Sequence, residues 1–186
     1  MTASLLTLGH GTLSREELAE LLRGAGIEQL VDVRRFPGSR TNDAAARGAI
    51  EEVCAEAGIG YRWDERLGGR RRLTQDEDAA SPDIWWRVKQ FRAYAGWSRS
   101  EEFRAGIEAL RGDLACARTA VMCSEAVWWR CHRRLIADVM LLEHEVEVLD
   151  LMHSGTQSPH APSEGARLDE HGHVVWDRDP GQDQED

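Results

Sequence analysis

Apolar residues along this chain recur in two periods: short runs that suit strands, and stripes at every third and fourth position that suit helices. Residues 4–8 predict a strand, followed by the turn Gly9-His10-Gly11. Ser14, with Glu17 three residues on, has the form of a capping box. It opens a stripe of Leu18, Leu21, Leu22 and Ala25 that ends at Gly24 and Gly26. Residues 30–33 predict a second strand interrupted by Asp32, and residues 59–63 a third. Between them, Asn42 or Asp43 can cap a helix carrying Ala46, Ile50, Val53, Cys54 and Ala57, which stops at Gly58. Residues 64–83 are polar and charge-blocked and predict a long loop.

Amphipathic helices are expected over 84–94 and 100–110, the second presenting Phe103, Ile107 and Leu110. Residues 119–123 predict a strand. The clearest helix covers 126–143, where Trp128, Cys131, Leu135, Val139 and Leu142 share one face. Residues 146–149 supply a last central strand, and 166–168 with 173–176 suit a short hairpin. Strands separated by helices imply parallel pairing through right-handed crossovers. The expected fold is therefore α/β: a mostly parallel central sheet between two helical layers. We expect one α/β domain over 1–168, and over 169–186 an acidic tail, disordered outside the short strand.

Composition changes this picture in one respect. The 186 residues carry a net charge of −10, with 41% hydrophobic and 30% charged residues, which suits one soluble domain. No apolar run reaches the ~20 residues of a membrane span, and the first residues lack the basic start of a signal peptide. A cytoplasmic protein is expected. From residue 163 onward there are eight acidic and two basic residues, so most of the acidity sits at the C-terminus. The charge balance disfavours a general nucleic-acid binder, which works by neutralising phosphates, but not a local anion site. Four cysteines without a secretory signal do not suggest a disulfide framework, and none forms a C-x-x-C pair. Phosphate-loop and dinucleotide fingerprints are absent, so neither ATP nor NAD is indicated.

In a parallel sheet, ligands bind beyond the carboxyl ends of the strands. The segments there carry His10, Asp32, Arg34 and Arg40, the Gly68-Gly69-Arg70-Arg71-Arg72 loop, Cys123, Glu125, Cys131, His132 and Arg133. The motifs GHGTLSREELAELL, VDVRRFPGSR, LGGRR, FRAYA and MCSEAVWWRCHRRLIAD resemble those of the "domain of unknown function 488" family over about residues 5–168. That resemblance implies a Rossmann-like fold and no particular activity. It marks His10, Asp32, Arg34, Arg40, Tyr94, Cys123, Glu125, Cys131, His132 and Arg133 as the matching positions, with Trp128 departing from the family's usual proline.

Each group has a plainer role open to it. Cys131 lies on an apolar stripe, Glu125 suits a helix start, the arginines can pair with Asp32 and Glu125, and Arg70–Arg72 can be a solvated loop. Three functions follow. The foremost is an enzyme acting on a phosphorylated or otherwise anionic small molecule, nucleotide-like or sugar-like. There Cys123, Glu125, His132 and His10 would be catalytic, and Asp32, Arg34, Arg40, Tyr94 and Arg133 would bind substrate. The second is a zinc or iron protein using Cys123, Cys131 and His132. Adjacent positions on a helix diverge by about 100°, which counts against Cys131 and His132 sharing an ion. The third is a nucleic-acid-binding or repair module.

Overall fold

The computed structural model describes residues 4–179. A six-stranded sheet has the order β3-β2-β4-β1-β5-β6. Its strands are β1 (Leu5–Gly9), β2 (Gln29–Asp32), β3 (Gly60–Trp63), β4 (Thr119–Cys123), β5 (Val148–Leu151) and β6 (Gln157–Pro159). The first five are parallel, and β6 joins the edge of β5 antiparallel. Helices α1 (Arg15–Gly24) and α2 (Ala49–Ala57) cover one face, and α4 (Lys89–Trp97), α5 (Glu101–Cys116) and α6 (Arg133–Leu142) the other; α3 (Gln75–Ala80) is a short surface helix. The fold is a Rossmann-like three-layer α/β arrangement.

Alternation along β4 shows how the layers are assigned. Ala120 and Met122 pack under α1 and α2, whereas Val121 and Cys123 face α5 and α6. Ser14 caps α1 with Glu17 in the expected box. Several boundaries differ from expectation: Asn42 caps a separate 3-10 turn (Asp43–Ala45) and α2 begins only at Ala49, α5 runs on to Cys116, and β5 lies two residues later than its apolar run suggests. The loop over 64–83 contains α3, which Thr74 and Glu77 cap with a second box. The helix expected at 84–94 starts only at Lys89, because the chain ahead of it is held in turns, with Trp85 N–H donating to the Trp176 carbonyl at 3.0 Å. The helix expected over 126–143 is two pieces, a 3-10 turn (Trp128–Arg130) and α6, separated by Cys131 in an extended conformation (φ −128°, ψ 148°). That break matters for the site.

The C-terminal hairpin pairs β7 (Ala166–Leu168) with β8 (Val174–Trp176). Trp176 is fully buried, and its indole N–H donates to Asp138 at 2.8 Å. Asp138 also receives His160 Nε2 at 3.1 Å and the Ser163 N–H at 3.1 Å, while Asp150 receives His160 Nδ1 at 2.9 Å and the Thr7 hydroxyl at 2.7 Å. Burial alone would lower the His160 pKa, but its two carboxylate partners outweigh that and raise it to about 9. This imidazolium with its two aspartates ties β5, α6 and the C-terminal segment together. Residues 180–186, the remainder of the expected tail, lie outside the described residues. Among those described, no helix is long and apolar enough to cross a membrane.

Candidate active site

From β2 the chain runs outward to β3, and from β4 it runs the opposite way to β5, although β2 and β4 are neighbours. Diverging connections open a crevice at the carboxyl ends of such a strand pair. A cleft of about 230 Å³ lies there, with Cys123, Cys131 and His132 among its lining residues and Arg35, Arg70 and Arg130 contributing guanidinium groups.

Cys123 ends β4 on the α6 side of the sheet, and the extended Cys131 turns back toward it. The two are joined as a disulfide, with eight residues of separation and Cα atoms 7.6 Å apart. The sequence did not point to this pairing, and Cys54 and Cys116 remain free. The surroundings of the two paired sulfurs differ sharply. Arg133, only 1% exposed, donates from Nη1 to Cys123 Sγ at 2.9 Å and to the Glu125 carbonyl, and from Nη2 to the Ala126 carbonyl at 3.0 Å. Its Nε has no partner among the described residues, and no carboxylate stands within salt-bridge distance. Burial lowers its pKa to about 10, while Asp150 and Glu125 support its charge only through space.

His132 sits beside the other sulfur. Its Nε2 lies 2.9 Å from the Val33 carbonyl, which requires the proton on that nitrogen and leaves the Nδ1 lone pair 3.6 Å from Cys131 Sγ. Burial lowers the His132 pKa to about 4, so the ring is neutral at pH 7. Tyr94 packs edge-on to this ring at 5.0 Å. The break at Cys131 thus undoes the argument from helix geometry against the two neighbours meeting.

The rim is built by two close approaches. A Cβ at Gly68 would lie 2.7 Å from the Arg35 Cα, and one at Gly69 would lie 2.8 Å from His132 Nδ1, so only glycine lets this loop reach the cleft. Arg70 follows with φ 57°, a left-handed conformation uncommon for a side-chain-bearing residue. Arg35, Arg70 and Arg130 have no carboxylate partner among the described residues, in contrast to Arg62, Arg66, Arg92 and Arg99.

The other expected site residues take varied places. Asp32 and Arg34 are buried against each other at 2.6 Å, and Arg34 also donates to the Ala45 carbonyl at 3.1 Å. Tyr94 lines the cleft, but its hydroxyl donates to the Leu67 carbonyl at 2.6 Å. Glu125 is exposed at the rim, between the cleft and an adjoining groove with Arg71, Arg72 and Lys89. Arg40 lines a different depression beside Tyr61 and Trp63. His10 is buried and does not line the cleft. Its Nδ1 faces the Gly11 carbonyl at 3.0 Å, its Nε2 has no partner among the described residues, and burial lowers its pKa. Arg34 does line the cleft, though bound to Asp32, while Arg35 and Arg130 escaped sequence reasoning; the Gly-Gly before Arg70 was the usable signal.

The zinc or iron alternative would draw on Cys123, Cys131 and His132. Among the described residues, no group of three or more His, Cys, Asp or Glu side chains is arranged to hold a metal ion.

Comparison with protein families matches residues 14–140 to the family described as Domain of unknown function DUF488. The chain belongs to this family. The DUF488 match contains both cysteines, His132, Arg133 and the three rim arginines, and it stops short of His10 on one side and of His160 and the hairpin on the other. No curated protein and no solved structure matches the chain. Membership in DUF488 gives kinship and no chemistry, which must come from the cleft.

Proposed function

We propose that this DUF488 protein is an enzyme acting on a small anionic molecule, with cysteine chemistry at the floor of the cleft and arginine recognition at its rim. The observation that carries this reading is the set of three guanidinium groups, Arg35, Arg70 and Arg130, without carboxylate partners around buried sulfurs. Several other arginines, among them Arg62, Arg66, Arg92 and Arg99, are paired with acids; three without such partners converging on one concave site suit a carboxylate or phosphate, which guanidinium binds in two-point fashion. A cytoplasmic location belongs to the same reading. Disulfides that form there are typically transient and catalytic, which suits a reactive pair better than a structural staple.

The groove that continues past Glu125 to Arg71, Arg72 and Lys89 favours a second reading, a polyanionic strand with one end in the cleft. Calorimetric titration with citrate, inorganic phosphate and a short single-stranded oligonucleotide tests both. The first reading expects citrate or phosphate to bind, with at least a tenfold loss when Arg35, Arg70 and Arg130 are replaced by Ala and none for Arg47→Ala. Unchanged affinity in the triple variant would end it. Much tighter oligonucleotide binding, falling steeply with salt, would establish the second reading instead.

A further inference from the structure

We infer that Cys123 and Cys131 form a dithiol–disulfide couple that exchanges two electrons with a small disulfide bearing carboxylates, Cys123 attacking and Cys131 resolving. This rests on the cleft being the site of an anionic ligand, as proposed above.

The assignment comes from the unequal settings of the two sulfurs. Arg133 is a buried cation whose neighbours are two carbonyls and Cys123 Sγ, with no acid in contact. A buried charge without a counterion is costly, and in the reduced protein the nearest available anion is the Cys123 thiolate. Cys131 instead faces a neutral imidazole nitrogen that holds a lone pair, because the Val33 carbonyl fixes the proton on the far nitrogen. One sulfur is therefore held ready as a nucleophile, and the other as a thiol with an acceptor for its proton. The rim arginines select a disulfide with acidic substituents.

The exchange balances. The Cys123 thiolate attacks one sulfur of the substrate disulfide; that bond breaks, and the first half leaves as a thiolate with the electron pair. A mixed disulfide remains on Cys123. Cys131 then releases its proton through His132 Nδ1 to the departed thiolate, and its sulfur attacks Cys123 Sγ. The second half leaves as a thiolate, and the Cys123–Cys131 disulfide closes. The substrate gains two electrons, the enzyme loses two, and an external dithiol restores the reduced couple. By supporting the thiolate, Arg133 stabilises the reduced form and makes the couple more oxidising.

The test equilibrates the full chain in buffers of oxidised and reduced glutathione, quenches by alkylation and reads each cysteine by mass spectrometry. Reduced protein is expected to form the Cys123–Cys131 disulfide reversibly. Cys131→Ser should stop at a glutathione adduct on Cys123, and Cys123→Ser should form the adduct on Cys131 at least a hundredfold more slowly. Arg133→Met should shift the equilibrium at least tenfold toward the disulfide. In unsubstituted reduced protein, alkylation of Cys123 should titrate below about pH 7, against about 8.5 for a free thiol. Adducts confined to the exposed Cys116, or a Cys123 titration at 8.5 or above, would overturn the couple. Citrate binding retained by the Cys123→Ser/Cys131→Ser double variant would then show that the anion site survives without it. Conversely, a neutral disulfide reacting as fast as oxidised glutathione, with no competition from citrate, would reject the anion site and leave the couple standing.

Discussion

Two histidines near α6 show opposite ways of burying an imidazole. His160 has a carboxylate on each ring nitrogen, and those acids raise its pKa to about 9 and keep it charged. His132 has a carbonyl on one side and a sulfur on the other, and burial takes its pKa to about 4. The difference extends to their neighbours. Around Asp138 the bonded groups complement one another, whereas the next residue after His132 is a guanidinium whose Nε lacks a partner. A network whose charges are matched serves stability, even though Ser163 Oγ there has no partner among the described residues. An incomplete one, opening on a cleft, leaves capacity for something that comes and goes.

The sharpest way to break this contrast is Asp138→Ala. It strands the His160 charge, the Trp176 indole N–H and the Ser163 N–H in the interior, and should cost about 3–5 kcal/mol in urea unfolding. Next comes pH. His160 is raised from 6.5 to about 9, so its contribution is complete below pH 6.5 and is lost as pH climbs through 9, by about 3 kcal/mol. His132 acts in the other direction: with its pKa lowered to about 4, stability falls as pH drops from 6.5 toward 4. His160→Gln should flatten the alkaline limb of a plot of urea midpoint against pH and keep the acid limb.

Smaller effects are expected at the cleft. Gly69→Ala places a Cβ 2.8 Å from His132 Nδ1 and should cost about 1–2 kcal/mol while weakening citrate binding. Arg133→Met should change stability by about 1 kcal/mol or less in thermal unfolding, because it removes a buried charge that no acid contacts. A loss of several kcal/mol there would place Arg133 among the stabilising groups and dissolve the distinction.

Much of this was legible in the sequence. β4 has the bounds its apolar run announces, and Ser14 with Glu17 marks the start of α1. The strand-end rule led to Cys123, His132 and Arg133, which do meet. What failed was periodicity near the site. Cys131 continues the stripe of Trp128 and Leu135, yet tertiary contacts hold it extended and end the helix before α6. Both Arg34 and Arg35 line the cleft, and which of them keeps a free guanidinium was likewise undecided by pattern, since Asp32, two residues away, claims Arg34 and leaves Arg35. β6 offers Gln157, Ser158 and Pro159, with no apolar alternation to announce it; its pairing is made by backbone groups alone. The capping box at Thr74 and Glu77 was present to be read and was hidden by the polarity around it.

Trp176 also bears on how the chain is made. All five parallel strands, and every helix among the described residues, precede in sequence the residue that closes the gap between α6 and the turn ahead of α4. Until that indole leaves the ribosome, Asp138 lacks its N–H donor, and Trp86, which packs against the ring at 6.2 Å, lacks its neighbour. Without Trp176 the α6 layer would keep an open seam, with an apolar floor and a buried acid at its edge.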